Sequence, residues 1–255
     1  MEISLSVVII TFNESEKIAR CISSAQPIAD EIVIVDSHST DETVTICKQM
    51  GCRVITNAFA GHIQQKNFAI TQASSPYILS LDADEALDET AQKSILAIKT
   101  NWQHDGYSFN RLNNYCGRWV KFSGWYPDKK LRLWDSRLGS WQGQNPHDRY
   151  ELKNGSKKCH ASGNILHYTI DSPEQHLEQI DYFTDISSKA LFEKGKSASL
   201  TKLIVSPAIK FMRDYIWKLG FLDGWAGWMI AKNSAKAKYL KYSKLRQLHN
   251  GSRTI

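Results

Sequence analysis

Three carboxylates, Asp82, Asp84 and Glu85, fall within four positions of the stretch "LSLDADE", directly behind an apolar run. Carboxylates this close raise one another's pKa unless a cation neutralises them. Hard divalent ions take oxygen ligands from carboxylates and diphosphates together, so the spacing points to a metal site. Capping of a following helix, whose dipole favours negative charge at its start, accounts for Asp88 and Glu89. It accounts poorly for Asp82, which still belongs to the apolar run. Asp36 ends a second such run, "EIVIVD".

The elements that must position these groups alternate between two periodicities, the signature of strand-helix-strand units. "LSVVII" (5–10) and "EIVIVD" (31–36) are continuous β-branched runs of the kind buried on both faces of a parallel sheet. Helices are expected over 13–25, over 39–51 with Ser39 or Thr40 as cap and Gly51 as stop, over 64–73, and over 87–100. Strands are expected at 53–56 and 77–82. Asp36 and Asp82 then stand at the carboxyl ends of parallel strands, where α/β sheets bind ligands. From about 105 to 170 short strands joined by loops replace the helical pattern, and a helix resumes after Ser172, with Pro173 at its first position.

The chain has 255 residues, 42% of them apolar, enough for a sizeable core. Its five cysteines form no C-x-x-C pair, which argues against a disulfide framework or a zinc ribbon and makes a reduced, cytoplasmic setting the expectation. No signal peptide and no membrane span are expected. The net charge of +6 is uneven: residues 202–253 carry eleven Lys and Arg against Asp214 and Asp223, a net of +9, whereas residues 1–201 carry a net of −3.

Four segments, "SVVIITFNE", "DEIVIVDSHSTDET", "GHIQQKNFAI" and "LSLDADE", occur in an order and spacing that resemble the family 2 glycosyltransferases of GT-A fold. "WYPDKKLRLW", "NPHDRYEL", "NILHYTI" and "KLGFLDGWAGWMIA" further resemble the subgroup that adds sugars to the lipopolysaccharide inner core, typified by β-1,4-glucosyltransferases. The resemblance implies an α/β GT-A fold, Rossmann-like with a mostly parallel sheet and a C-terminal helical extension. Residues 1–104 would bind the nucleotide-sugar, 105–172 would complete the domain on the acceptor side, and 173–255 would form a basic amphipathic helical extension. The implied activity is an inverting transfer of one sugar, glucose or another hexose, from a UDP-sugar to a lipopolysaccharide core or similar glycolipid. Another surface glycan is the alternative acceptor.

By the same resemblance, Thr11, Asn13, Glu14 and Asp36 line the nucleoside pocket, and Lys66 and Asn67 lie near the nucleotide-sugar. Asp82, Ala83 and Asp84 form the D-x-D motif holding Mn²⁺ or Mg²⁺ against the diphosphate, Asp84 the more direct ligand, with His167 as a further ligand. Imidazole suits Mn²⁺ alongside carboxylates. A general base needs a carboxylate on the acceptor side; the subgroup has His-Glu where this chain has His147-Asp148, and Asp148 is taken as the base. Glu85, Asp128, Lys130, Arg132 and His147 are candidates for the acceptor or the diphosphate, Arg being suited to bidentate phosphate contact. The Q-x-x-R-W motif of processive synthases is missing, which fits one sugar per acceptor.

In the basic tail, Ile209, Met212, Ile216 and Leu219 are expected on one helical stripe with lysines largely off it, a pattern that lies in an anionic membrane interface. Peripheral attachment to the inner face of the cytoplasmic membrane is the resulting expectation, against a helical pair packed on the catalytic domain. A nucleic-acid-binding protein using the same tail leaves Asp36, Asp82 and Asp84 without a role.

Overall fold

A computed structural model describes residues 2–144 and 147–251, apart from the side chains of Gln144, His147 and Gly251. It divides into two compact units, 1–111 with 128–167, and 112–127 with 168–255.

The first unit opens with β1 (Leu5–Thr11), α1 (Ile18–Ala25), β2 (Glu31–Asp36), α2 (Thr43–Gln49), β3 (Arg53–Thr56), α3 (His62–Gln72) and β4 (Tyr77–Asp82). Along the chain then come β5 (Glu85–Leu87), α4 (Glu89–Thr100), β6 (Gly106–Tyr115), β7 (Arg118–Val120), β8 (Asp128–Asp135), β9 (Gly139–Gln144), β10 (His147–Leu152) and β11 (Lys158–Ile170), with β7 and the last residues of β6 and β11 in the second unit. The main sheet has the order β3-β2-β1-β4-β8-β6-β11-β5, while β9 and β10 form a separate ribbon. The β3-β2-β1-β4 portion is parallel and the β4-β8, β6-β8 and β11-β5 pairs are antiparallel, so the sheet as a whole is mixed.

The continuous apolar runs have the expected cause. Along β1, Leu5, Val7 and Ile9 face a core built with α1 and α4, and Val8 faces one built with α3, β9 and β10. Register then fixes the functional edge: Thr11 lies beside Asp36, Ile10 beside Asp82, and Asp36 beside Thr56. Four parallel strands end together there.

Two local expectations need correction. Helix α2 starts at Thr43, not at 39, because Ser39 turns its hydroxyl to Asp36 and Asp41 takes the Thr43 N–H at 3.0 Å. The helix expected from 87 starts two residues later, because residues 85–87 form a strand: Ile165, Leu166 and His167 pair with Leu87, Ala86 and Glu85. The following helix begins at Glu89, with Asp88 as its cap accepting from Ala91 N–H at 2.7 Å. Gly163 permits this approach; at φ +98° its backbone passes so near α4 that a Cβ would sit 2.1 Å from Ala91 N.

In the second unit, β7 pairs with Asn113–Tyr115, and α5 (Pro173–Glu193), α6 (Leu200–Met212) and α7 (Gly224–Gly251) follow. Ser172 caps α5 as expected. Helix α7 packs against both α5 and α6, and Lys244 ties it to Asp181 and Asp185 of α5 at 2.6 and 2.7 Å. The stripe expected through residue 219 is not one continuous α-helix: α6 ends at Met212, a π-turn spans Arg213–Trp217, and Leu219 adopts φ +54°. Ile209, Met212, Ile216 and Leu219 are nevertheless all exposed. No helix among the described residues is long and apolar enough to cross a membrane.

Candidate active site

Strand β4 ends in Asp82, and the chain turns through Ala83 and Asp84 into β5. The turn is fastened from inside by Glu85, which is fully buried and accepts the Asp82 N–H at 3.0 Å and the Arg132 guanidinium at 2.6 Å. Arg111 lies 3.7 Å from the same carboxylate. Glu85 is thus an internal counter-ion, not a surface candidate for the acceptor. Arg132, on β8, is equally buried; its Nη2 bridges Glu85 and Asp82, and its Nε and Nη1 have no partner among the described residues. Its burial opposes the charge, yet Glu85 and Asp82 hold it firmly protonated.

Lys66, on α3, supplies the second cation. Its ammonium lies 3.0 Å from Asp82 Oδ1 and 2.9 Å from Asp148 Oδ2, over the Trp141 ring at 4.4 Å. Burial by itself would raise the Asp82 pKa; Lys66 and Arg132 overcome it and hold this carboxyl well below the usual carboxylate range. Asp82 therefore has side-chain cations on both oxygens. Asp84 differs: its Oδ2 lies 3.2 Å from His167 Nε2. A carboxylate beside an imidazole is a donor set of the kind that suits a divalent ion. Among the described residues no group of three His, Cys, Asp or Glu side chains forms a metal cage.

Asp148 comes from β10, which brings the candidate base to the strand-end cluster through Lys66. The side chain of its neighbour His147 lies outside the described residues. The Asn67 amide donates to the Trp141 carbonyl at 3.0 Å and accepts the Trp141 N–H at 2.9 Å, clasping the β9-β10 ribbon to α3. Asp128 pairs with Arg111 at 2.8 Å and Lys130 at 3.1 Å, at the other end of β8 from the core.

At the neighbouring strand ends, buried Asp36 accepts the Ser39 N–H at 2.9 Å and the Ser39 hydroxyl. Asn13, at φ +52°, accepts the Thr40 N–H and donates its own N–H to Ser39, both at 2.8 Å, and the Glu14 N–H reaches Thr43 Oγ1 at 2.8 Å. Two loops are thereby stitched into one floor. The Thr11 hydroxyl is buried there without a partner among the described residues. Sequence reasoning missed Ser39, Thr43, Arg111 and Trp141. Only Trp141 had a visible signal, as the lone aromatic of "GSWQGQ".

A parallel β3-β2-β1-β4 core whose strand ends carry this acidic turn, completed by antiparallel strands bearing a histidine and a further aspartate, is the GT-A architecture of glycosyltransferases. The chain belongs to glycosyl transferase family 2, whose family model matches residues 6–168. It is 30% identical to an uncharacterized glycosyltransferase of Rickettsia prowazekii, over 98% of this chain and 89% of that one. It is 28% identical to the lipopolysaccharide core biosynthesis glycosyltransferase LpsC of Rhizobium meliloti, over 97% and 94%. A crystal structure of S. aureus TarS superposes with a TM-score of 0.46 at 14% identity, covering 97% of this chain and 92% of the other.

Proposed function

We propose that this enzyme transfers one hexose, with inversion, from a UDP-sugar to a lipopolysaccharide-core or similar glycolipid acceptor. The observation that carries this reading is the Lys66 ammonium held between Asp82 and Asp148. It joins the strand end expected to receive the donor to the carboxylate expected to receive the acceptor's proton. The likeness to LpsC over nearly the whole chain supports the acceptor class.

In this mechanism Thr11, Asn13, Glu14 and Asp36 receive the uridine, and the Thr11 hydroxyl, without a partner among the described residues, is a polar group that a bound nucleoside can satisfy. Asp84 and His167 would hold a divalent ion, which neutralises charge growing on the leaving diphosphate. Lys66 fixes Asp148 by Oδ2, so that Oδ1 can take the proton of the attacking hydroxyl. Attack from the face opposite the leaving group turns an α-linked donor into a β-linked product. Lys66 and Arg132 already balance Asp82, which orders the turn before substrate arrives.

The exposed apolar residues of the second unit support peripheral membrane contact. Ile204 and Trp217 are each 69% exposed, and Leu200, Val205, Ile209 and Met212 join Ile204 on α6 beside Lys202 and Arg213. Such a surface suits the anionic cytoplasmic leaflet, where a glycolipid acceptor is presented.

The test is Asp148→Asn, assayed for UDP release and for UDP-sugar binding by thermal shift with Mn²⁺. Transfer should fall by about 10²–10⁴-fold while binding persists. Unchanged transfer would remove Asp148 from its role, and failure of every uridine nucleotide to stabilise the protein would remove the donor assignment.

A further inference from the structure

The second unit holds a cavity of about 320 Å³ among α5, α6 and α7, which the transfer mechanism does not use. Its lining combines three lysines, Lys210, Lys238 and Lys241, with the hydroxyls of Thr184, Ser187 and Ser234 and the buried ring of His176. Among the described residues no carboxylate lines it. Asp214 stands beside it, but that carboxylate is shared by Lys210 and Arg213. Lys238 and Lys241 lie over the Tyr242 ring, at 5.9 and 4.9 Å, and no acid among the described residues pairs with either.

Holding half-buried ammonium groups together without a counter-ion costs free energy through desolvation and mutual repulsion. Both effects appear at Lys241, whose pKa is lowered first by burial and then by Lys238. Lys210 is lowered chiefly by burial as well, despite Asp214. An anion in the cavity would relieve all three lysines. The Ser187 and Ser234 hydroxyls add neutral donors, and the Asn233 amide N–H donates to His176 Nδ1 at 2.9 Å, which leaves the imidazole proton on Nε2. Ammonium groups and hydroxyls around a concave site match the oxygens of a phosphate ester.

We propose that this cavity binds a phosphate ester group, presented by an anionic lipid headgroup beside the exposed α6 surface. The site would seat the enzyme on its membrane through a defined contact, in addition to diffuse charge attraction. It does not depend on the transfer reaction, and its test uses no catalytic readout.

The test compares the wild-type chain with Lys238→Gln/Lys241→Gln in two arms. One measures flotation with phosphatidylglycerol–phosphatidylcholine vesicles; the other measures glycerol 1-phosphate binding by titration calorimetry. Melting curves of both proteins establish folding, and Lys232→Gln/Lys236→Gln, outside the cavity lining but on the same helix, controls for charge alone. For a lipid headgroup, vesicle affinity of the cavity variant should drop roughly 30-fold, about 1 kcal/mol per lysine, with the control changed much less. If the cavity variant loses glycerol 1-phosphate but keeps vesicle affinity, the phosphate site stands and its source is a soluble ester. If both double variants lose vesicle affinity equally and glycerol 1-phosphate binds neither protein, or if the cavity variant matches wild type in both arms, the proposal fails.

Discussion

Replacing Lys66 with Met keeps the side chain's stem against Trp141 and removes the ammonium between two carboxylates. Each contact, at 3.0 and 2.9 Å, is a gross attraction of about 5 kcal/mol at an effective dielectric constant near 20, most of it offset by desolvation. Removing one partner of a buried pair costs about 3–5 kcal/mol. Lys66 is only 6% exposed, but Asp82 and Asp148 keep 26% and 11% of their side-chain surface, and Asp82 retains Arg132. A loss of about 2–3 kcal/mol is therefore expected in urea unfolding at pH 7.5. The pH dependence provides an independent check. A carboxyl whose folded pKa is depressed contributes stability that is present above its unfolded pKa and lost as pH falls through the folded value. Asp82 is depressed well below 3.8, so the wild-type loss falls below that pH. In Lys66→Met the Asp82 pKa rises, part of this contribution is already gone at pH 7.5, and the acid limb moves upward. A variant within about 0.5 kcal/mol of wild type, with the same acid limb, would refute the bridging role, since surface changes fall in that range.

His176 is pushed down to about 4 by burial, so the unfolded chain binds its proton between about pH 6.5 and 4. Stability of the second unit should decline across that window by roughly 3 kcal/mol, and His176→Gln should flatten the slope when unfolding is followed at stepped pH. Gly163→Ala adds a methyl 2.1 Å from Ala91 N at positive φ, and should cost more than about 3 kcal/mol in a denaturant titration. Asn67→Ala removes both hydrogen bonds that clasp Trp141, and should cost about 1–3 kcal/mol. If Asn67 instead served the nucleotide directly, UDP-sugar affinity would fall with stability unchanged.

Much of the first unit was legible because its strands are buried on both faces. A run such as "LSVVII" can lie nowhere else in a chain of this size, and runs ending in Asp36 and Asp82 place their acids at the ligand-binding edge. Residues 85–87 were not legible. Three residues carry no periodicity, and their strand exists only because Gly163 lets β11 come close to α4. The stripe after α6 misled for a related reason: a π-turn changes the spacing by one residue per turn without any change of composition.

The sequence by itself determined the family, the parallel strand core and the identity of the acidic turn, since local hydrophobic periodicity and motif spacing are properties of neighbours along the chain. Tertiary structure decided what each acid does. Asp82, Asp84 and Glu85 are nearly interchangeable as letters. One carries Lys66 and Arg132 on its two oxygens, one meets His167, and one is sealed inside as a counter-ion. Their partners lie 16 to 83 positions away in sequence, on α3, β8 and β11, and only the folded sheet brings those charges within hydrogen-bond distance.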